Sequence, residues 1–280
     1  MKYLRRVLEG RVLESFRHFP VVVVQGARQA GKTTLVQHLG IDDLTTVTFD
    51  PVQDVGGARE DPELFLQNTR TPAFLDEIQF APELTAAIKR MVDARRENGL
   101  FIVSGSLNLA VLRSISESMA GRSAVLDLLP LCASEIEERR PDDGILARLV
   151  RDRDWSPGDH MASRPRPLYE RLWRGGMPGL LDMPDHVVST YLDSYRRTYV
   201  ERDVRTASDI GSLQLFGRFL GLLAALTAQE LNHNQLGREL GIDRKTAVAW
   251  SDVATATFQW FQVPPYASNP IKRIAGKPKG

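Results

Sequence analysis

Apolar positions along the chain fall into two rhythms. From Tyr3 to Phe16 they recur at Leu4, Val7, Leu8, Val12, Leu13 and Phe16, a spacing that predicts a helix. After Pro20 the rhythm stops, and Val21-Val22-Val23-Val24-Gln25 follows as an unbroken β-branched run bounded by proline and glycine. Such a run predicts a strand buried on both faces, as in a parallel sheet. Further strands are predicted at Thr45–Phe49, Ala73–Leu75, Leu100–Val103 and Ala124–Leu129, with helices over Thr33–Leu39 and Pro82–Arg96 between them. Strands alternating with helices predict a parallel α/β sheet.

The character changes after Leu131. Residues 136–167 are rich in charge and proline and predict a linker or surface excursion. Residues 168–264 are helical in pattern, and 265–280 carry Pro, Gly and Lys with few apolar residues, predicting a loose tail. The predicted organisation is therefore a 1–135 α/β domain, an excursion over 136–167, a helical region over 168–264 and a tail. Two domains also suit a length of 280 residues. The formal net charge of +1 supplies no global field toward nucleic acid or membrane, so any nucleic-acid binding needs a local patch. The single cysteine, Cys132, excludes a disulfide within the chain and implies a reducing compartment. It lies in the apolar run Leu128-Leu129-Pro130-Leu131-Cys132, which predicts a small buried hydrophobe. The N-terminus lacks an apolar signal segment, and no run approaches the ~20 apolar residues that span a bilayer. The expectation is a cytoplasmic protein without membrane contact.

Chemistry enters at the end of the first strand. Gly26-Ala27-Arg28-Gln29-Ala30-Gly31-Lys32-Thr33 matches the phosphate-binding pattern of two glycines, a lysine and a hydroxyl residue at every constrained position, and Thr34 continues into the helix. Glycines let successive backbone N–H groups curl around phosphate oxygens. The helix points its positive N-terminal end at the anion. Lys32 is placed for the β and γ phosphates of ATP, and Thr33 for Mg²⁺. Phe74-Leu75-Asp76-Glu77 is an apolar strand ending in two carboxylates, where Asp76 would hold Mg²⁺ and Glu77 would polarise the attacking water. Alone, this pair equally suits a helix cap. Ser104, in Val103-Ser104-Gly105-Ser106, is a candidate γ-phosphate sensor, against a plain Ser-Gly-Ser turn. Arg122 is a candidate charge-neutralising arginine, near the nucleotide or in a neighbour's site; Arg202 is a similar candidate, against a salt bridge within the chain, and Gln79 could orient water, against a solvated loop glutamine. The five histidines show no metal-ligand spacing.

Together, Val22 to Thr34, Phe74 to Gln79, Ser104-Gly105-Ser106, Ala120-Gly121-Arg122, Gly175-Gly176-Met177-Pro178 and Tyr199 to Val204 resemble the prokaryotic AAA-type ATPases that carry a C-terminal domain of unknown function called DUF4143. The resemblance extends through Leu236 to Ile242 and so covers nearly the whole chain. It implies an additional-strand P-loop fold, with the Ser104 strand between the P-loop strand and the Asp76 strand, and it implies that Glu77 is the hydrolytic carboxylate. It also implies a longer chain than this one, so that residues 168–264 would be the start of a DUF4143-like part and apolar side chains such as Phe258, Trp260 and Phe261 would be exposed.

Gln235 to Val248 predicts a helix, a glycine turn at Gly241 and a second helix capped by Asp243. Arg244, Lys245 and Thr246 would start the second helix, where recognition helices touch DNA bases. The alternative is a winged-helix lid that packs on the ATPase or on a protein partner. Three functions are compatible with these residues. The first is an AAA-type ATPase that hydrolyses Mg-ATP to drive the winged-helix region, alone or with a second copy or a protein partner. The second is a DNA-binding regulator that uses ATP only as a ligand. The third is a P-loop kinase, which would need an added phosphate acceptor.

Overall fold

The computed structural model describes residues 2–105, 119–138, 167–204, 210–265 and 279–280. The chain divides into two compact units, the first running to Val188 and the second from Ser189 to Gly280. The sequence pattern had placed the boundaries at 135 and 167.

The first unit is a parallel sheet of β1 (Val21–Gln25), β2 (Thr45–Thr48), β3 (Ala73–Asp76), β4 (Phe101–Gly105) and β5 (Ser123–Asp127), in the order β2-β3-β4-β1-β5. Helices cover both faces: α1 (Glu9–His18) and α2 (Lys32–Gln37) on one, α3 (Pro62–Asn68) and α4 (Leu84–Arg95) on the other. The β1 valines explain the placement. Val21 and Val23 pack with Phe65, Leu75 and Ile88, whereas Val22 and Val24 pack with Val12, Leu35 and Val36, and all four valines are fully buried. Strand side chains alternate between faces, so a strand apolar at every position must be covered twice. The order also puts β4 between β1 and β3, with Val24 paired to Ser104 and Leu75 to Val103. The three C-terminal strand ends therefore lie side by side, where open α/β sheets bind ligands.

Two local predictions differ from the structure. Helix α1 begins at Glu9, and residues 3–6 form an irregular strap. Apolar spacing does not distinguish the two, and the buried Arg6 shows why the strap wins: its guanidinium finds partners only outside a helix. Cys132 is exposed, with Sγ 3.0 Å from Ser134 Oγ, because it precedes the short helix α5 (Ala133–Ile136) and faces outward while Leu131 packs inward. The first unit continues through α6 (Leu168–Arg174) and the Gly175–Pro178 turn into α7 (Asp185–Thr198).

The second unit is helical, with α8 (Leu213–Ala225), α9 (His233–Leu240) and α10 (Arg244–Ala256) around Phe216, Phe219 and Trp250. Trp250 meets both phenylalanine rings edge-on at 5.5 Å, the arrangement aromatic quadrupoles favour. Gly241 ends α9 in a left-handed conformation, and Asp243 caps α10 by accepting from Thr246 N at 2.9 Å. Phe261 is exposed, while Trp260 is half-buried against this core. The described end of the predicted tail is pinned: Lys279 exchanges backbone hydrogen bonds with Val263 at 2.7 and 3.0 Å. Among the described residues no helix is long and apolar enough to cross a membrane. Lys279 also bridges Glu230, just before α9, in the antiparallel sense. Arg202 side-chain placement, and Ser106, lie outside what the structure describes.

Candidate functional site

The site is built at the C-terminal ends of β1, β3 and β4. Residues 26–31 turn the chain from β1 into α2, and two glycines make that turn possible for different reasons. A Cβ on Gly26 would lie 2.2 Å from the Leu128 carbonyl oxygen, closer than atoms can approach, so only glycine fits against that backbone. Gly31 caps α2 at φ 95°, a conformation that side chains disfavour. Ala27 and Ala30 are buried, Arg28 is half-buried, and Gln29 is exposed with positive φ.

Lys32 is 6% exposed, and its ammonium donates to the carbonyls of Gly26 and Ala27, each at 3.0 Å. The lysine thus folds over the loop and holds a positive charge in its concavity. Thr33 donates from Oγ1 to Asp76 Oδ2 at 2.7 Å, and Ser104 donates from Oγ to Asp76 Oδ1. Asp76 is 2% exposed and Ser104 fully buried, so one carboxylate at the end of β3 joins the phosphate turn to β4. Thr34 is exposed, and its carbonyl lies 2.8 Å from His38 Nδ1.

Glu77 follows β3 in a left-handed backbone conformation, φ 57° and ψ 43°, uncommon outside glycine. It is half-buried, and its Oε2 accepts from the Gln79 side-chain amide. Strained backbone of this kind costs on the order of 1 kcal/mol and concentrates at functional sites.

The structure therefore brings Gly26 to Thr33, Asp76, Glu77 and Ser104 together. It does not bring Arg122 to them. Arg122 precedes β5, its carbonyl accepts from Val21 N at the opposite end of β1, and its guanidinium pairs with Asp93. A role beside its own chain's phosphate turn is excluded by that placement. Sequence reasoning also missed three contributors. Arg6 donates to Ala30 O at 2.8 Å, and Glu135 stands behind Arg6. A Cβ on Gly31 would lie 3.7 Å from Pro178 Cγ, so the Gly175–Pro178 turn borders the phosphate turn. No local pattern marks these contacts, because the partners are far apart in the chain.

An Mg-ATP site can be tested on this geometry. The backbone cradle, the lysine within it, and a hydroxyl-carboxylate pair at its rim fit a triphosphate and a hard cation. Mg²⁺ is commonly held by one or two protein oxygen ligands plus substrate phosphates. No cluster of three or more His, Cys, Asp or Glu suited to a metal occurs among the described residues.

In the second unit, Arg244 and Lys245 are exposed at the start of α10, while Thr246 Oγ1 donates to Asp243 Oδ2 at 2.8 Å and so belongs to the cap. His233 Nε2 lies 3.0 Å from Ser251 Oγ. Burial pushes the His233 imidazole below its ordinary value; Arg244 adds to this and Asp252 opposes it.

Comparison with known proteins follows the same division. Residues 18–137 match the model of a family described as an AAA domain. Residues 166–280 match a domain of unknown function, DUF8612. The resemblance had implied DUF4143 for that part, and the DUF8612 match replaces it. An uncharacterised protein of Mycobacterium tuberculosis and one of Mycobacterium bovis are each 29% identical over 278 residues, covering 98% of this chain and 56% of theirs. The chain thus spans about half the length of these curated relatives. The Walker-type ATPase of Pyrococcus abyssi superposes with a TM-score of 0.56 at 14% identity, covering 97% of this chain and 95% of its own. At that identity the likeness establishes the fold. With the AAA-domain match, it supports an AAA-type P-loop ATPase family.

Proposed function

We propose that the chain binds Mg-ATP at residues 26–34 and hydrolyses it, acting as an ATP-driven switch in the cytoplasm. The observation that carries this reading is the convergence of Thr33 and Ser104 on the buried Asp76, next to Glu77. A phosphate-binding turn alone would serve a kinase as well. Two adjacent carboxylates at the rim favour water as the acceptor.

In this mechanism the backbone N–H groups of 26–33 and the Lys32 ammonium bind the phosphate oxygens. Thr33 Oγ1 and Asp76 would hold Mg²⁺, which when bound neutralises charge between the β and γ phosphates. Ser104 fixes the rotamer of Asp76. Glu77 accepts a proton from the attacking water as its oxygen bonds to the γ phosphorus and the bond to the β–γ bridging oxygen breaks, giving ADP and phosphate. Gln79 orients the Glu77 carboxylate. An arginine role for Arg122 would lie in the site of a second copy. A second reading is favoured by the exposed Arg244 and Lys245: α9 and α10 would engage DNA, with ATP as ligand or fuel.

The test is phosphate release from Mg-ATP by wild type, Lys32→Ala and Glu77→Gln, with nucleotide binding followed in the same samples. The expected result is turnover by wild type, loss of binding in Lys32→Ala, and binding without hydrolysis in Glu77→Gln. Wild-type binding without phosphate release at any protein concentration would refute hydrolysis by this chain. Release only on adding an acceptor would select the kinase.

A further inference from the structure

We propose that Arg6 is a positioning residue for the phosphate turn, holding it in binding shape from the strap that precedes α1. This rests on reading residues 26–33 as the nucleotide site. Arg6 is 7% exposed, although nothing in the local sequence calls for a buried charge. Its Nη1 donates to Ala30 O at 2.8 Å and its Nη2 to Leu129 O at 2.5 Å. Its Nε lies 3.2 Å from Glu135 Oε1, off the line of a hydrogen bond, so that contact is an ion pair. Glu135 is 7% exposed and accepts from Val7 N at 2.7 Å and from Cys132 N at 2.9 Å. A single guanidinium therefore ties the phosphate turn to the segment leaving β5.

The Ala30 contact matters because of peptide geometry. In a planar trans peptide the C=O and N–H point in opposite directions. Gripping the Ala30 carbonyl from the strap side aims the Gly31 N–H the other way, away from Arg6. Gly31 sits at φ 95°, where glycine has other conformations open to it, so an external grip is what selects this one.

The strap is itself held. Glu9 Oε1 accepts from Arg6 N at 2.8 Å and from Tyr3 Oη at 2.7 Å, and the Tyr3 ring stacks on His38 with centroids 3.9 Å apart. His38 is the C-cap of α2. Residues 3–9 thus hold both sides of α2, Ala30 before it and His38 after it. Guanidinium suits the task better than ammonium, because its planar fork reaches two diverging carbonyls and a carboxylate at once. Pre-organising a binding loop raises affinity by removing the ordering cost from the binding step.

The experiment uses the full chain and a fluorescent ATP analogue with Mg²⁺, with hydrogen exchange read on the amides of 26–33. Arg6→Met should weaken analogue binding about tenfold or more, as loss of a charge-assisted hydrogen bond does. It should also speed exchange in 26–33 while the amides of β1 and β4 keep their protection. Arg6→Lys should recover part of both effects. Binding within about twofold of wild type in Arg6→Met, or exchange that rises equally across β1 and β4, would overturn the proposal. Where Arg6→Met does not fold, Arg6→Lys and Glu135→Gln carry the same two readouts, each with a smaller shift confined to the turn. Failure of wild type to bind the analogue would sink the nucleotide reading instead, and exchange in 26–33 would still decide whether Arg6 holds the turn.

Discussion

Replacing Ser104 by alanine tests the core of the site most directly. Ser104 is fully buried, and its hydroxyl donates to Asp76, itself 2% exposed. The second Asp76 oxygen accepts from Thr33 at 2.7 Å. Removing the hydroxyl leaves a buried carboxylate oxygen without that donor. A hydrogen bond to a charged group contributes about 1.5–3 kcal/mol, and serine to alanine opens little cavity, so the expected loss of stability is about 2 kcal/mol. With a urea slope of about 2 kcal/mol/M for a unit of this size, the midpoint followed by far-UV circular dichroism should fall by about 1 M. The function should change with it. Residues that orient a metal ligand typically carry about tenfold or more in metal affinity, so the Mg²⁺ concentration giving half-maximal nucleotide binding should rise by at least that factor. Thr33→Val should couple to Ser104→Ala in a double-mutant cycle, because both act through one carboxylate. A midpoint within about 0.2 M of wild type, together with an unchanged Mg²⁺ dependence, would refute the idea that Ser104 sets Asp76.

Three further perturbations test separate parts of the structure. Gly26→Ala forces a Cβ to within 2.2 Å of Leu128 O, so calorimetry should find no Mg-ATP binding, and stability should fall by about 3 kcal/mol or more. Arg122→Ala breaks only a half-exposed pair with Asp93, so it should cost about 0–1 kcal/mol and leave Mg-ATP affinity within about twofold by the same titration. His233 has a folded pKa below its ordinary 6.5, so the unfolded chain binds more protons in the window between the two values. The contribution is present above about pH 6.5 and lost as pH falls through the lowered value, so denaturant midpoints for the helical unit should drop from pH 7.5 toward pH 5, and His233→Gln should flatten that slope.

Legibility in the sequence tracked how local the cause was. Val21–Gln25 reads as a strand because Pro20 and Gly26 bound a run that must be covered on both faces, and the structure has the same limits. Helices α9 and α10 read correctly because their turn is written in Gly241 and Asp243. Helix α3 was not read: it is only seven residues long, and its signals are a single Asp61 cap and Pro62 at the first turn. The strap was misread as helix because the partners that bury Arg6 lie 24 and 123 residues away. The Asp76 hub is intermediate. Each residue is visible in its own motif, but that Thr33 and Ser104 share the two oxygens of one carboxylate follows only from β4 lying between β1 and β3.

That sharing bears on why the site is built from buried polar groups at all. An isolated buried carboxylate is expensive, and a half-satisfied network is worse than an apolar one. Asp76 is tolerated because both oxygens are occupied, one by the Thr33 hydroxyl from the first turn of α2 and the other by the Ser104 hydroxyl from the end of β4. A hydroxyl can rotate or be drawn to a metal, whereas a second charge in that position would lock the carboxylate into a permanent ion pair. The arrangement therefore holds Asp76 in one orientation at the mouth of the phosphate turn, through hydroxyls that can rotate. Arg6 does the complementary task on the far side, where a permanent lock suits a carbonyl that should not move. The exchangeable contacts face the concavity of the phosphate turn and the fixed ones stand behind it, which is the division a site needs if it is to bind, turn over and release.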